Sequence, residues 1–397
     1  MKRILIFCFV CCFVKIKSQI HVDSLMNFVK GKNELVDKVI EDSKEYHLQF
    51  ILTRIINDSS DIIKEEVKYL TGDYFYPASM VKLPTAILTH ELLDSLELNS
   101  NSYIKMNPDE KCKNQFFTNT TQNKKLRFTN IIEELLAISD NNYYSILFHA
   151  LGARNINRKL KEYGLKNTFI YTSFNGCPKE SDLIFNSYDI YDENDKKVFS
   201  QPKRKMDSIE YLGNHIFNKK KLCGTAHYKG GKKINKAKNF NYALEYDLVD
   251  INETMVKLFH PNCYSKNKRF KINELSRSEL IHSLLIHPIE IRNKKYKNSL
   301  KYPANYYKYS IIGDSKGLKL KDDFDIYSKI GISYGFVTET AYIFDKKNNQ
   351  DFLVTVSIKV NKNDVLGDGI YQYESIARPF IAAFTRLINS YLLSMKK

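Results

Sequence analysis

The chain has 397 residues, of which 43% are hydrophobic and 27% are charged. This composition is typical of a globular protein and excludes a disordered or fibrous chain, and the length suits one large domain or two modest ones. The net charge of +16 is concentrated between Lys196 and Lys238, where thirteen Lys and Arg residues stand against two acidic residues. No nucleic-acid-binding motif accompanies this charge, so we do not expect a nucleic-acid partner.

The N-terminus has the pattern of a secretory signal peptide. A basic start precedes an apolar run from Ile4 to Val14, and Ser18 provides a small residue for cleavage. The run is too short to cross a bilayer, and no later stretch of the sequence predicts a transmembrane segment. We therefore expect residues 1–18 to be a signal peptide, and the mature protein to be exported and either periplasmic or secreted.

The cysteine and histidine residues predict neither a metal site nor a cofactor. The four cysteines beyond the leader are far apart, and although export allows disulfides, we favour unpaired packing cysteines and leave the pairing open. The histidines have no ligand spacing and no paired carboxylate, so we predict no Ser-His-Asp triad. The residues concerned are Cys112, Cys177, Cys223, Cys263, His90, His149, His227, His260, His282 and His287.

The first part of the chain alternates between helix and strand. Residues 21–43 have helical periodicity, whereas residues 46–56 and 66–77 are rich in β-branched and aromatic residues, which predicts two strands. The segment SMVKLPTAILTHELLDSL predicts a helix from Ser79 to about Leu96.

Helices dominate the middle of the chain, and strands return near its end. The apolar pattern becomes alternating there, which is typical of strands, and glycines among the lysines of the basic stretch predict a loop. The further predicted helices are residues 128–138, 143–152, 153–164, 248–260, 276–288 and 373–393, and the predicted strands are residues 327–336, 338–345 and 351–361.

These elements predict an α/β (α+β) fold in one domain, from residue 30 to 397. One antiparallel sheet would be built from both chain ends, about 45–78 and 305–397, and covered by the terminal helices. A helical part, about 79–300, would be inserted between them. The basic insertion at about 190–240 is either a face for an anionic envelope polymer or lipid surface or a solvated insertion, and we favour the latter.

The segment YPASMVKLP places Ser79 three residues before Lys82. Ser79 begins an apolar helical run, where the positive end of the helix dipole favours a developing alkoxide. Lys82 follows on the same face, and an amine whose pKa is lowered can accept the hydroxyl proton. The alternative is a helix-capping serine with a surface lysine. The same spacing begins, in loop-like sequence or at the chain end, at Ser102, Ser200, Ser265 and Ser394.

Two further motifs carry groups that would complete such a site. Ser139-Asp140-Asn141 lies between two predicted helices, although an isolated segment of this kind is also a common turn with capping residues. Lys329 and Gly331, in KIGISYG, lie on a predicted strand. A cation and a close-packing glycine at a strand edge can bind a carboxylate and leave a backbone N–H free for an oxyanion.

Together the three motifs resemble the set found in penicillin-binding proteins and class A β-lactamases. The segment LGARNINRKLKEYGLKNT is similar to the helix that follows the second motif in class A enzymes. The C-terminal segments KIGISYGFVTETAYIFD and NDVLGDGIYQYESIARPF are similar to exported serine hydrolases of this superfamily from bacteria of the Bacteroidetes type. The resemblance covers most of the chain from about residue 30 and implies a β-lactamase/transpeptidase-like fold.

The resemblance implies a role for each residue that does chemistry. Ser79 would be the acylated nucleophile, and Lys82 its general base or base partner. Ser139 would transfer a proton. The oxyanion hole would consist of the backbone N–H groups of Ser79 and Ile332, and each such donor is worth roughly 10²–10³ in rate.

The resemblance also implies which residues bind the substrate. Asn141 would orient it, and Lys329 with Gly331 would hold it on the strand. The charge of Lys329 would in addition keep Lys82 deprotonated.

The sequence departs from the resemblance at two places. Ile330 stands where the third motif normally has Thr or Ser, which removes a hydroxyl that would help to hold a substrate carboxylate. Class A β-lactamases also have a glutamate soon after the GLKNT-like segment, where it activates the deacylating water. Here the first acids are Glu180 and Asp182, and we do not favour either in that role.

The sequence therefore predicts an exported serine hydrolase that forms an acyl-enzyme on Ser79. Its substrates would be β-lactam or cell-wall-peptide-like amides or esters, small molecules or peptidoglycan-derived fragments, with slow release of the acyl group by water. The alternative is a non-catalytic protein that binds cell-wall fragments. Ile330 favours this alternative, and the intact first and second motifs argue against it.

Overall fold

The structure is a computed structural model of the chain. The expected signal peptide, residues 1–18, lies outside the described residues, as do Cys112 and Cys177. The described residues are 20–57, 62–106, 125–174, 184–205, 221–241, 244–315 and 323–396.

The strands fall into one large sheet and several small ones. In chain order they are β1 (Gln49–Asn57), β2 (Ile62–Tyr69), β3 (Tyr103–Met106), β4 (Leu126–Arg127), β5 (Thr168–Phe169), β6 (Ile184–Phe185), β7 (Tyr188–Tyr191), β8 (Lys197–Gln201), β9 (Arg204–Lys205), β10 (Leu222–Cys223), β11 (Ala226–Lys229), β12 (Lys232–Ile234), β13 (Lys238–Asn239), β14 (Glu245–Tyr246), β15 (Phe324–Ser333), β16 (Phe336–Asp345), β17 (Gln350–Lys359) and β18 (Val365–Leu366).

The α-helices lie before, between and after the strands of the large sheet. In chain order they are α1 (Val22–Val29), α2 (Glu34–Glu41), α3 (Lys82–Ser95), α4 (Phe128–Glu133), α5 (Asn141–Leu151), α6 (Ala153–Glu162), α7 (Leu248–Phe259), α8 (Glu274–Leu285) and α9 (Arg378–Ser394). In the described part of the chain, no helix has both the length and the apolar character needed to span a membrane.

The large sheet is antiparallel and joins the two ends of the chain. Its strand order is β15-β16-β17-β1-β2, and the ends meet where β1 pairs with β17, with Leu52 opposite Val354. β15 lies at one edge, and it pairs with β16 over its whole length, from Phe324 to Ser333. The chain between β2 and β15 forms the inserted helical part.

One face of this sheet is apolar and is covered by the terminal helices. Every second side chain points to this face, so Val354, Val356 and Ile358 are all fully buried in one apolar cluster with residues of α1 and α9. The ring of Phe50 on β1 packs edge-on against Phe384 on α9, with the ring centroids 5.0 Å apart. Burying side chains of this size contributes roughly 1.5–3 kcal/mol each.

The opposite face is also buried, but it is polar where the helical part packs on it. Thr340 and Thr355 share a hydrogen bond of 2.8 Å across β16 and β17. Asn252 on α7 donates to the Thr53 hydroxyl at 2.9 Å and accepts from Thr355 at 3.0 Å. Because these side chains are fully buried, their mutual hydrogen bonds offset the cost of removing them from water.

The sequence predicted this architecture, but it misplaced some elements. β2 ends at Tyr69 instead of near residue 78, because the chain then turns through Gly72, with φ of 74°. The basic insertion is not wholly irregular: β11 pairs with β12 and, in parallel, with β18. The helical part also contains a small sheet, ordered β4-β3-β7-β8. Strands of two to five residues are too short to give a clear alternating pattern.

Two of the four mature-chain cysteines fall within the described residues. Cys223 and Cys263 are both half-buried, and both are free thiols. The prediction of unpaired cysteines is therefore confirmed for these two.

Candidate active site

Ser79 lies in a 3₁₀ turn, Ala78–Val81, that leads directly into α3. Ala78 has a positive φ of 46°, an uncommon conformation for a residue with a Cβ, and the chain bends sharply there as it enters the turn. The backbone N–H of Lys82 donates to the carbonyl of Ser79. Residues separated in this way stack one above the other in a 3₁₀ helix, so Ser79 and Lys82 share a face at the positive end of α3.

Lys82 is fully buried. Its Nζ donates to Asn141 Oδ1 at 2.6 Å, to Ser139 Oγ at 3.1 Å and to the Ser139 carbonyl. Burial is the main cause that lowers the pKa of Lys82 well below its usual value, and the charge of Lys329 adds to it, while the carboxylate of Asp140 opposes both. A neutral amine is thus favoured at this position.

The turn from Ser139 to Asn141 is held by the ends of two helical segments. A π-helical turn, Glu134–Ile138, ends at Ser139, whose backbone is left-handed with φ of 62°. Asp140 then caps α5, because its Oδ1 accepts from two backbone N–H groups of the first turn at 2.8 and 3.0 Å. A cap of this type stabilises a helix by about 1 kcal/mol, and it fixes Asn141 as the first residue of α5.

Lys329 approaches the same turn from β15. It is buried, and its Nζ donates to Ser139 Oγ at 3.0 Å and to a neighbouring backbone carbonyl at 3.0 Å. The Ser139 hydroxyl therefore lies between Lys82 and Lys329. Burial, together with the charge of Lys308 and against the opposing effect of Glu339, lowers the pKa of Lys329 to about 7.

Gly331 brings the edge of β15 into contact with the Ser79 turn. A Cβ on Gly331 would lie 2.3 Å from the carbonyl oxygen of Pro77 and 3.1 Å from the backbone nitrogen of Met80. Only glycine allows so close a backbone approach. The prediction of a close-packing glycine thus agrees with the contact, although its role in substrate binding stays a prediction.

The amide of Ile332 points out of the sheet. Tyr334 and Gly335 have φ of 55° and 85°, which makes the β15–β16 connection a two-residue type I′ turn. The flanking residues, Ser333 and Phe336, lie opposite each other and form a hydrogen-bonded pair in such a hairpin. Because such pairs alternate along an antiparallel ladder, the N–H of Ile332 is directed away from β16, at the edge that contacts the 3₁₀ turn.

The hydroxyl of Ser79 is not hydrogen-bonded to Lys82. Within the described residues, Ser79 Oγ has no partner, and Lys82 Nζ is directed to Ser139 and Asn141. Catalytic hydrogen bonds are often long without substrate and tighten when it binds. The structure therefore brings Ser79, Lys82, Ser139, Asn141 and Lys329 together, while the role of Lys82 as a base stays a prediction.

Ile330 belongs to the apolar side of β15. Its side chain is buried in the cluster that includes Phe380 and Phe384 of α9. The apolar residue at this position thus has a packing reason, and its side chain fills the core between the sheet and the terminal helices.

The sequence analysis missed three residues that shape the site. The ring of Phe174 lies 5.6 Å from Lys82 Nζ. Phe174 lies in the segment that follows α6, and no sequence motif marks it. Lys308 and Glu339 act on Lys329 through their charges. Lys308 stands in the segment ANYYKYS, where a lone lysine among tyrosines was the one available sign of a buried cation.

The other Ser-x-x-Lys matches lack these surroundings. Ser265 lies before a short 3₁₀ turn and donates to Asn267 at 2.7 Å, and its lysine, Lys268, donates to a backbone carbonyl. Ser394 ends α9 and donates to a backbone carbonyl at 2.6 Å. Of the remaining two matches, Ser102 lies directly before the short strand β3, and Ser200 lies within the short strand β8.

The acids considered for deacylation, Glu180 and Asp182, lie outside the described residues. In the ranges that are described, no group of three or more His, Cys, Asp or Glu side chains is arranged to hold a metal ion. The described site thus consists of hydroxyls, amines and one amide, which suits acid–base and nucleophilic chemistry.

Comparison with known families gives one match. Residues 36–210 match the Beta-lactamase enzyme family, a range that includes the first and second motifs. None of the curated protein sequences that were compared matches the chain.

Several solved β-lactamase structures have a similar fold. The TLA-1 extended-spectrum β-lactamase is 14% identical, with a TM-score of 0.50 over 92% of this chain and 100% of that one. A β-lactamase from Burkholderia ambifaria is 11% identical, with a TM-score of 0.50 over 91% and 99%. An ancestral class A β-lactamase is 13% identical, with a TM-score of 0.50 over 90% and 99%.

At these identities the structural likeness concerns the fold alone, and it confirms the predicted β-lactamase/transpeptidase-like α/β fold. The Bacteroidetes-type origin stays a prediction. The family match covers the part of the chain that carries Ser79, Lys82 and the Ser139–Asn141 turn, and the fold covers nearly all of it. The chain therefore has a β-lactamase-like fold, and its residues 36–210 match the Beta-lactamase enzyme family.

Proposed function

We propose that the protein is a serine hydrolase that forms an acyl-enzyme on Ser79. Its substrates are β-lactams or cell-wall-peptide-like amides or esters. The observation that carries this proposal is the position of Lys82, a fully buried amine one turn from Ser79 whose pKa is lowered by burial and by Lys329. Because a protonated amine cannot accept a proton, a base at this position requires such surroundings.

The reaction follows from the neighbours of the two residues. As Ser79 Oγ attacks the carbonyl carbon, its proton passes to the neutral amine of Lys82. The negative charge on the carbonyl oxygen is stabilised by the N–H groups of Ser79 and Ile332. The Ser139 hydroxyl, hydrogen-bonded to both lysines, gives its proton to the leaving nitrogen or oxygen and takes the proton that Lys82 received from Ser79. The bond between the carbonyl carbon and the leaving atom breaks, Lys82 is neutral again, and an ester remains on Ser79.

The geometry supports substrate-binding roles for Asn141, Lys329 and Gly331. The Asn141 side chain accepts from Lys82 through Oδ1, which leaves its amide NH₂ for a substrate carbonyl. Lys329 offers a positive charge to a substrate carboxylate while it is protonated. The described residues offer no carboxylate bonded to Lys82 or Ser139, so we propose that hydrolysis of the ester is slow.

A fluorescent penicillin tests the proposal, because similar solved structures are β-lactamases. The purified protein is incubated with the probe, and the covalent adduct is followed by gel fluorescence and by intact mass over time. We expect one adduct per chain that is lost slowly, and no adduct on Ser79→Ala.

The matched control is Ser265→Ala, since Ser265 has the same spacing to a lysine but lies in an exposed turn. This variant should be labelled like the wild type. If folded wild-type protein carries no label that depends on Ser79, the proposal fails for β-lactams, and rapid loss of the adduct would contradict slow hydrolysis.

A binding protein without catalysis is the second candidate, and the missing hydrogen bond between Ser79 Oγ and Lys82 Nζ favours it. Such a protein would bind peptidoglycan fragments with equal affinity before and after the Ser79→Ala substitution, and it would give no adduct with any acyl donor. Calorimetry of both proteins with soluble muropeptides separates the two candidates.

We also propose that the chain is exported and that its basic insertion is a solvated surface, with a face for an anionic envelope surface as the alternative. Four lysines in the β11–β12 hairpin or just after it, which would supply such a face, are exposed: Lys229, Lys232, Lys233 and Lys236. Binding to anionic vesicles that weakens with salt, and that is lost when these lysines are replaced by glutamine, would support this surface. Intact mass of the mature protein, with residues 1–18 absent, tests export.

A further inference from the structure

Two buried charged residues near Lys329, Lys308 and Glu339, take no part in the proposed acylation of Ser79. Lys308 precedes β15 in the chain, and its side chain is almost fully buried. Its Nζ donates to the carbonyl of Ile326 on β15 at 2.9 Å and to the carbonyl of Leu284 at the end of α8 at 2.5 Å. The ammonium group is thus fixed beside the strand that carries Lys329, three residues further along.

Glu339 is the counter-charge of this group. It is fully buried on β16 and lies opposite Ile330. Its carboxylate accepts from the backbone N–H of Tyr309 at 3.0 Å, and from the N–H and hydroxyl of Ser310 at 2.8 and 2.9 Å. These residues directly follow Lys308, so the hydrogen bonds hold the segment with the lysine against the sheet.

We propose that Lys308 is a positioning residue of the active site, whose buried positive charge sets the electrostatic potential at Lys329 and, through Lys329, at Lys82. The effect on acylation rests on the function proposed above. The electrostatic coupling itself does not, since it concerns only the protonation of buried amines.

The physical argument is the mutual repulsion of like charges in a poorly solvated interior. Burial, opposed by the charges of the nearby Glu339 and Glu290, lowers the pKa of Lys308 to about 8. Below this pH Lys308 is charged, and its charge disfavours a proton on Lys329. The charges that act on Lys329 are those of Lys308, from the segment before β15, and Glu339 from β16, and Lys329 in turn acts on Lys82 of α3.

A purely structural role for Lys308 is the competing explanation, because its two hydrogen bonds connect α8 to β15. That role predicts a loss of stability on substitution but no change in the titration of Lys329. The titration curve is therefore the decisive measurement.

Lysine side chains labelled with ¹³C at Cε report their own protonation by NMR. The titration of Lys329 is followed in the wild type, in Lys308→Met and in Lys308→Arg, with the resonance assigned by its absence in Lys329→Arg. We expect the midpoint for Lys329 to rise by roughly one pH unit in Lys308→Met, because the repelling charge is gone, and to stay near the wild-type value in Lys308→Arg.

Lys257→Met is the matched control. Lys257 is as buried as Lys308, and burial likewise lowers its pKa to about 8. It lies on α7, where its Nζ is 3.4 Å from the centre of the Tyr264 ring. Its charge does not act on Lys329, so this variant should leave the Lys329 titration unchanged.

An unchanged Lys329 midpoint in folded Lys308→Met would overturn the proposal. Should that variant fail to fold, the wild type decides: coupled groups titrate in two steps, so the Lys329 curve must contain a second step at the midpoint of Lys308, and a single step overturns the proposal. These outcomes are independent of acylation. A protein that never labels Ser79 but shows the coupling would refute the proposed function and leave this inference intact.

Discussion

Both faces of the large sheet are buried by neighbouring helices, but they differ in composition. On the face toward α1 and α9, side chains such as Val354 and Val356 form an apolar layer. On the face toward the helical part, Thr340, Thr355 and Lys329 are buried with hydrogen-bond partners. Apolar packing tolerates substitutions of similar volume, whereas each buried polar group depends on a specific partner. The polar face therefore fixes the relative position of the sheet and the helical part with the precision that a catalytic site needs.

The largest effect should come from Lys82→Met, which replaces an amine on the polar side by an apolar group of similar length. We expect the rate of Ser79 acylation to fall by roughly 10²–10⁴, the range for loss of a general base, because the amine that would accept the proton is removed. Stopped-flow or quenched labelling with a fluorescent penicillin measures this rate.

Lys257→Met is again the control for Lys82→Met, since both lysines are buried but only Lys82 contacts Ser139 and Asn141. Equal rates for wild type and Lys82→Met would show that the polar face serves packing and not proton transfer.

Gly331→Ala should have the next largest effect. The added Cβ would lie 2.3 Å from the Pro77 carbonyl, so β15 or the Ser79 turn must move apart, at a cost of roughly 1–3 kcal/mol in the free energy of unfolding. We expect the acylation rate of the folded protein to fall as well, because the amide of Ile332 moves with the strand.

Gly224→Ala provides the comparison for Gly331→Ala. Its Cβ would lie 2.7 Å from the Asp364 carbonyl, outside the site, so thermal unfolding should show a similar loss of stability with much less change in acylation. If both glycine variants slow acylation equally, the contact between β15 and the Ser79 turn has no special role.

Asn252→Leu tests the polar face away from the site. The substitution leaves the buried hydroxyls of Thr53 and Thr355 without their shared partner, and we expect a loss of roughly 1–3 kcal/mol in the free energy of unfolding. Urea denaturation followed by fluorescence of a bound dye or by circular dichroism measures this loss.

Val354→Ile is the control for Asn252→Leu on the apolar face, where one added methylene changes packing and no hydrogen bond. A smaller effect for Asn252→Leu than for Val354→Ile would contradict the view that the polar face is the more specific of the two.

The smallest effect concerns pH. Burial and Lys308 lower the pKa of Lys329 to about 7, so Lys329 is protonated below this pH and neutral above it. The affinity for a substrate with a free carboxylate should therefore fall by roughly tenfold as the pH rises from about 6 to about 8, which is the value of one charge-assisted hydrogen bond.

The methyl ester of the same compound is the control for this pH dependence, because it has no charge to pair with Lys329. Binding measured by competition with a fluorescent probe should be independent of pH for the ester. A parallel loss for both compounds would show that Lys329 does not hold the carboxylate.

The sequence predicted what depends on local pattern. Alternation identified β16 and β17, helical period identified α3 and α9, and the serine and lysine at the start of α3 were recognisable because a helix begins there. The Ser139 turn was recognisable as a capped boundary between two helices.

What could not be predicted depends on contacts between distant parts of the chain. The face to which Ile330 points is decided by the register of β15 against β16, and the burial of Lys308 by the packing of a segment with no regular structure against the sheet. Phe174 reaches Lys82 from a loop. None of these residues carries a local pattern, since their partners are far away in the sequence.

The burial of lysines has a consequence for how the protein folds. Lys308 and Lys329 have pKa values of about 8 and 7 in the native protein, compared with about 10.4 in an unfolded chain. Between these values the unfolded chain holds more protons than the folded one, so folding releases protons to the solvent. The free energy of unfolding therefore rises with pH across this window, until the lysines of the unfolded chain are also neutral. The burial of these two amines therefore costs the molecule part of its stability at neutral pH.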